Sequence, residues 1–278
     1  MSVDLTLLKK LREALGAGLG DCKKALIETE NNFDDAVNWL RKKGIASAAK
    51  KSGRVASEGL VGINIQENSG IVLELNSETD FVAKNENFQS ILKQLLEIGI
   101  NADSLEELNE LKIANITVAE KIAESSGIIG EKMDLRRFQK VTVTNGVVAY
   151  YIHASEIANM GKTCVLLGVE SKSTNKEALF NLGKKICMQA AAMNPQYLKV
   201  EDVPSTIVQN EKEIAKAQLI AQKKPENVIE RILEGKITKY YEDNVLLNQI
   251  FVMDNKKTIS DVIKEEEKAL GETISFTT

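Results

Sequence analysis

Near the N-terminus, apolar residues recur at helical spacing. Leu5, Leu8, Leu11 and Leu15 form one stripe, which Gly16-Ala17-Gly18 breaks. A second segment, from about Asp21, carries Cys22, Ala25 and Leu26 on one face, with the Asp21 carboxylate a candidate N-cap for the orphan amides. A third sets Phe33, Ala36, Val37 and Leu40 at i, i+3, i+4 and i+7, with Asn32 as cap and Gly44 as stop. Together these predict a compact three-helix domain over residues 1–45.

From Leu60 the period changes. Leu60 to Ile65 and Ile71 to Leu75 read as strands either side of a polar turn, Glu67-Asn68-Ser69-Gly70, which predicts a hairpin. Phe88, Ile91, Leu92, Leu95 and Leu96 then form one face of a helix. The same order returns with Val141 to Val143, Val147 to Ile152, Thr163 to Val169 and a helix from about Lys176. Hairpin followed by helix, twice, predicts an α+β protein whose core has two related subdomains, each a small antiparallel sheet covered by helices. The boundaries read as 58–140 and 141–278. Pro195, Pro204 and Pro225 punctuate a helical stretch, and Pro225 separates Ile207–Gln222 from Asn227–Tyr241. Two helices with so short a connection pack antiparallel, so a helical hairpin is inserted at about 200–243. Ile250 to Met253 reads as a strand, Thr258 to Gly271 as a capped helix, and Ile274 to Phe276 as a last strand.

Composition changes this picture little. With 43% hydrophobic residues in 278, the chain has material for about two cores, and a net charge of −4 excludes a surface built as a whole for phosphate neutralisation. One local exception is Arg41 to Arg54, with six basic residues and no acids, of which residues 46–57 read as a basic linker. The run is either a solvated helix end and tether or a nonspecific contact for nucleic acid. No apolar run approaches a membrane span or a signal-peptide core, and Cys22, Cys164 and Cys187 have no paired spacing, which together imply a cytoplasmic setting.

Catalytic parts are scarce. The single histidine, His153, and the unpaired cysteines leave no zinc set and no Ser-His-Asp or Cys-His arrangement. Gly16 to Gly20 resembles a phosphate loop, but no strand precedes it, so it reads as a helix-helix turn. Glu74, Glu78 and Asp80 are short acids at a strand end and helix start, suited to capping amides or facing water, with acid-base or metal chemistry the alternative. Phe81, taken alone, is a core aromatic.

Three stretches are longer and more specific. Leu-Arg-Glu-Ala-Leu-Gly-Ala-Gly-Leu-Gly-Asp-Cys-Lys-Lys-Ala-Leu, from Leu11 to Leu26, resembles the N-terminal signature of the elongation factor Ts family. Ala48 to Arg54 resembles that family's linker, and Glu74 to Phe88, containing Thr79-Asp80-Phe81-Val82, its second signature, with the likeness continuing to Phe251-Val252-Met253. The resemblance implies a ubiquitin-associated-like (UBA-like) three-helix domain, two core subdomains and an inserted antiparallel coiled coil. It implies no enzymatic activity and no cofactor. The partner implied is elongation factor Tu, GDP-bound and nucleotide-free, in a 1:1 or 2:2 complex, without membrane or specific nucleic acid. Thr79, Asp80, Phe81 and Val82 correspond to the tip that enters near the partner's magnesium site. Arg12, Leu19 and Gly20 correspond to N-terminal contact positions, and His153 to one in the second subdomain. Gly20 departs from the bulky apolar residue common there, Ser155 to Lys162 reads as an insertion, and a terminal helix present in some members has no counterpart after Phe276. Outside that resemblance, the alternatives are a binding adaptor built on the three-helix domain and an RNA-associated protein using Arg41 to Arg54.

Overall fold

The computed structural model describes residues 3–15, 17–155, 157–222 and 224–277, without the side chains of residues 45–50 and 227; the expected break at Gly16 lies outside the described residues. The chain divides into two compact units, Met1–Thr142 with Ile152–Leu166 and Val143–Tyr151 with Leu167–Thr278.

The first unit opens with three helices, α1 (Leu5–Leu15), α2 (Leu19–Glu28) and α3 (Phe33–Lys51). The apolar stripes meet as expected except at Leu5, which starts α1 exposed: Leu8, Leu11, Cys22, Ala25, Leu26, Ala36 and Leu40 form one buried cluster. Asn32 caps α3 by accepting the Asp35 amide at 3.1 Å. Two details differ from the sequence reading. Asp21 is not a cap; α2 begins at Leu19, and the Asp21 carboxylate instead pairs with Lys43. Gly44 does not stop α3, which runs through to Lys51 into the segment whose composition suggests a linker.

The physical reason lies in a later helix, one not among those predicted above. After β1 (Glu58–Gln66), β2 (Ser69–Ser77), α4 (Asp80–Ala83), α5 (Glu86–Gly99), α6 (Leu105–Glu110) and the short β3 (Lys112–Ile113) and β4 (Ile116–Thr117) comes α7 (Val118–Ile129). It starts on a capping box between Thr117 and Glu120 and ends at Gly130, whose φ of 97° suits glycine. Gly127 of α7 crosses Gly44 so closely that a Cβ on Gly127 would lie 2.0 Å from the Gly44 carbonyl oxygen. Around that crossing Arg41 pairs with the buried Glu124 at 2.8 Å, and Ile128 joins the core of the N-terminal helices. Tertiary contact thus overrides the low helix propensity of glycine.

β1 and β2 pair along their whole length, with Gln66 opposite Ser69, so Glu67-Asn68 is the hairpin turn and Glu67 takes a left-handed φ of 50°. The sheet is antiparallel with order β5-β2-β1-β7, where β5 is Asp134–Thr142 and β7 is Met160–Gly161. Ile71, Leu73 and Leu75 of the sheet pack against Phe88, Ile91, Leu92, Leu95 and Leu96, the α5 face read from the pattern. Val141 and Thr142 are not the first arm of a second hairpin. They end β5, which pairs with β2, whereas β6 (Gly146–His153) lies in another sheet. The segment read as an insertion supplies β7, the fourth strand of the first sheet.

In the second unit the sheet order is β11-β8-β6, with β8 at Thr163–Glu170 and β11 at Ser275–Thr277. α8 (Lys176–Met193) sets Gly183 against Ala149 and Val169, and Phe180 meets Tyr150 edge-on at 5.8 Å. Pro204 and Pro225 cap the two helices of the hairpin, α9 (Ser205–Ala221) and α10 (Glu226–Asn244), as their missing amides permit. Ala215, Leu219, Ile229 and Ile237 are the hairpin's buried residues. The last helix, α11 (Ile259–Leu270), has a Thr258–Asp261 capping box and Gly271 at its left-handed end, as the sequence signals require; it follows the β9 (Ile250–Phe251) and β10 (Asp254–Thr258) ribbon.

Gln189 and Gln249 are fully buried here, and each polar atom of Gln189 is used. Its amide nitrogen donates to Gln249 Oε1 and to the Ile250 carbonyl at 3.1 Å each, and its oxygen accepts the Val252 amide at 2.9 Å. Gln189→Leu keeps the volume but takes a partner from Gln249 Oε1, the Ile250 carbonyl and the Val252 amide. A stability loss of about 3 kcal/mol is expected, read from urea unfolding.

Candidate functional site

The Thr79–Val82 segment leaves the end of β2 as a single helical turn. Thr79 is its N-cap residue, in extended backbone, and Asp80 to Ala83 form α4. The turn's inward side is apolar: Ala83 is buried and Val82 packs on the sheet-helix core. That geometry leaves Phe81 pointing out, 80% exposed. Phe81 is therefore not the core aromatic that its residue type suggests. The ring therefore adds little to this chain's own packing and is free to be covered by another surface.

Several side chains fix the turn. Glu131, just beyond Gly130, accepts the Thr79 amide through Oε2 at 2.9 Å and the Thr79 hydroxyl through Oε1 at 2.7 Å. Ser77 donates its hydroxyl to the Thr79 carbonyl at 2.9 Å. The neighbouring Glu78 accepts the Lys132 amide at 2.6 Å and pairs with Arg54 at 3.3 Å. Those contacts, the Lys132 amide foremost, hold the Glu78 carboxyl below the ordinary carboxylate range. Asp80 pairs with Lys84 at 3.0 Å, and the hydrogen bond and charge of Lys84, helped by Lys162, pull its carboxyl down as well. Asp80 thus stays ionised beside Phe81.

Lys162 arrives from the β7 side, where it reaches Glu58 at 3.2 Å and the Gly59 carbonyl at 3.1 Å. A depression of about 140 Å³ lies between Asp80, Lys84, Leu60, Ala154, Met160 and Lys162. The structure therefore brings the tip together with the loop that follows His153. His153 itself is exposed at the end of β6, and its carbonyl accepts the Lys162 amide at 3.2 Å. Arg12 lies exposed in the last turn of α1, while Leu19, 55% exposed, and Gly20 open α2. Space around Gly20 is empty, as nothing lies within 4 Å of where its Cβ would stand.

Chemistry of the bond-making kind has little to work with in these parts. The three thiols are free, and burial pushes Cys164 and Cys187 up to about 12, so both stay protonated at neutral pH. Among the described residues no cluster of His, Cys, Asp and Glu could hold a metal ion, and no helix is long and apolar enough to cross a membrane. What the turn can do is present an apolar ring and an adjacent carboxylate on a rigid base. Glu131 and Lys162 escaped the sequence reading. The Thr117-x-x-Glu120 box and Gly130 are local signals that bracket α7, but nothing local places Glu131 beneath Thr79.

The model of one family, described as elongation factor TS, matches residues 78–278. A Bartonella bacilliformis protein named elongation factor Ts is 44% identical over 274 residues, covering 98% of this chain and 89% of its own length. One of the same name from Rhodospirillum centenum is 42% identical over 278 residues, at 99% and 90% coverage. Another, from Rickettsia felis, is 40% identical over 277 residues, again at 99% and 90%.

Proposed function

Since this chain belongs to the elongation factor Ts family, we propose that it is a guanine nucleotide exchange factor for elongation factor Tu. In this reading Thr79 to Val82 is the working tip and the chain itself makes and breaks no covalent bond. An exchange factor binds nucleotide-free Tu more tightly than nucleotide-bound Tu, and linkage then makes the nucleotide weaken the factor by the same factor. The observation that carries the proposal is the exposed phenyl of Phe81 on a turn tied down at Thr79.

Accelerating release about a thousandfold requires roughly 4 kcal/mol at the barrier. Burying one phenylalanine side chain in a partner pocket supplies about 2 to 3 kcal/mol, and it counts toward the rate only where the pocket opens in the releasing state. Phe81 is the wedge. Magnesium bound between Tu and GDP phosphate demands near-ideal octahedral geometry, so a small shift of its ligands loosens metal and nucleotide together. Asp80, ionised and adjacent, adds a competing negative charge. Arg12, Leu19 and Gly20 on the N-terminal helices, and His153 at the end of β6, serve as grips that hold the tip in place.

The test is to mix the chain with Tu carrying fluorescent GDP, add excess unlabelled GDP, and follow the loss of signal. Release accelerated by a factor on the order of a thousand is the expected result. Tight association without acceleration would establish an adaptor instead and overturn the proposal.

A further inference from the structure

The tip does not hold its own shape. α4 is a single turn, too short to be stable alone, and its N-cap residue Thr79 makes no side-chain bond to the turn's own amides. Both polar groups of Thr79 that face away from the turn are instead taken by one carboxylate, that of Glu131, 52 residues further along the chain. The Glu131 backbone is tied in turn, as its carbonyl accepts the Ser126 hydroxyl of α7 at 2.7 Å. The next residue repeats the connection, with the Lys132 amide on Glu78. The exit of α7 is thus a clamp on the two residues that precede Asp80.

We propose that Glu131 is the positioning residue of the exchange tip: it stands behind the turn, and by fixing Thr79 it sets the direction in which Phe81 projects. The inference rests on the wedge reading of Phe81. A carboxylate accepting a backbone amide and a hydroxyl makes two short, charge-assisted bonds, which hold an angle far better than a solvated turn does. Without them Phe81 remains exposed but samples many directions, and the ordering is paid at the moment of docking.

The test compares Glu131→Leu, Glu131→Gln, Phe81→Ala and the Phe81→Ala/Glu131→Leu pair. Release of fluorescent GDP from Tu is followed over a range of factor concentrations. Hydrogen exchange of the Thr79 amide and thermal unfolding are measured in the free chain. Misplacing a reacting or docking group by the order of an ångström costs up to about a hundredfold, so Glu131→Leu is expected to lower the plateau rate by at least about tenfold. Protection of the Thr79 amide is lost with it. Glu131→Gln restores both, because its amide oxygen accepts the Thr79 amide while its nitrogen donates to the hydroxyl. The double variant is no slower than Phe81→Ala, since one residue acts through the other.

A Glu131→Leu variant that releases GDP at the wild-type rate, or losses that multiply in the double variant, overturns the positioning role while leaving the wedge in place. Phe81→Ala at the wild-type rate overturns the wedge reading, and the positioning role with it. Should Glu131→Leu fail to fold, Thr79→Val removes the hydroxyl bond alone; a several-fold drop supports the role and an unchanged rate overturns it.

Discussion

Phe81→Ala is expected to slow GDP release from elongation factor Tu by roughly thirty- to a hundred-and-fortyfold, the factor that about 2 to 3 kcal/mol of lost ring burial represents at about 1.4 kcal/mol per decade. The same variant leaves the chain's own stability within about 0.5 kcal/mol of wild type, because a side chain 80% exposed contributes little to the fold. Stopped-flow release and thermal unfolding measure the two halves. Unchanged release removes the wedge; loss of the fold would mean that the ring packs inside, against its observed exposure. Asp80→Asn is the informative companion, because it keeps the shape of the turn and removes the charge that Lys84 and Lys162 hold in place.

Gly127→Ala is the second large effect, and it acts on the frame. The added methyl would meet the backbone of Gly44 at 2.0 to 2.2 Å, with no flexible side chain to yield. Overpacking of this kind costs about 3 kcal/mol when backbones must separate, against at most about 1 kcal/mol of helix propensity gained. A net loss of about 2 kcal/mol is expected in urea unfolding. Gly235→Ala in α10 is the control, since nothing lies within 4 Å of its Cβ position and propensity acts alone there. It should stabilise by up to about 1 kcal/mol. Equal effects at the two glycines would show that the crossing of α3 and α7 carries no packing constraint.

Much of the fold could be read from local pattern, because the relevant signals are local. Asn32, Thr258 and Gly271 act within one turn of their own helices, the β1-β2 hairpin closes over two residues, and the α5 face needs only its own spacing. The alternating pattern around Val141 could not say which strand it would join, and β5 paired with β2 rather than with β6. Gly44 looked like a stop because its partner, Gly127, is remote in sequence. The tip shows both sides of this. Its address came from a recognised stretch, but residue type alone would have buried Phe81. Its exposure follows from which positions of a single turn, Val82 and Ala83, face the core. Glu131 could not be found without knowing that α7 ends beneath Thr79.

The continuation of α3 past Gly44 sets a rule about length. Arg41, Gly44 and Lys51 meet α7 at Glu124, Gly127 and the Ser126 carbonyl respectively, so residues 45–50 act as a screw thread between fixed stops. A flexible tether tolerates added residues at little cost, about 0.6 kcal/mol for each doubling of its length. One residue added to a helix turns everything beyond it by about 100° and advances it by about 1.5 Å. Inserted here, it would carry Lys51 away from Ser126 while Gly44 stayed on Gly127. Ser126 also holds Glu131, so the phase of α3 and the anchoring of Thr79 are set from the same turn of α7. The number of residues in this segment is fixed by what its two ends hold.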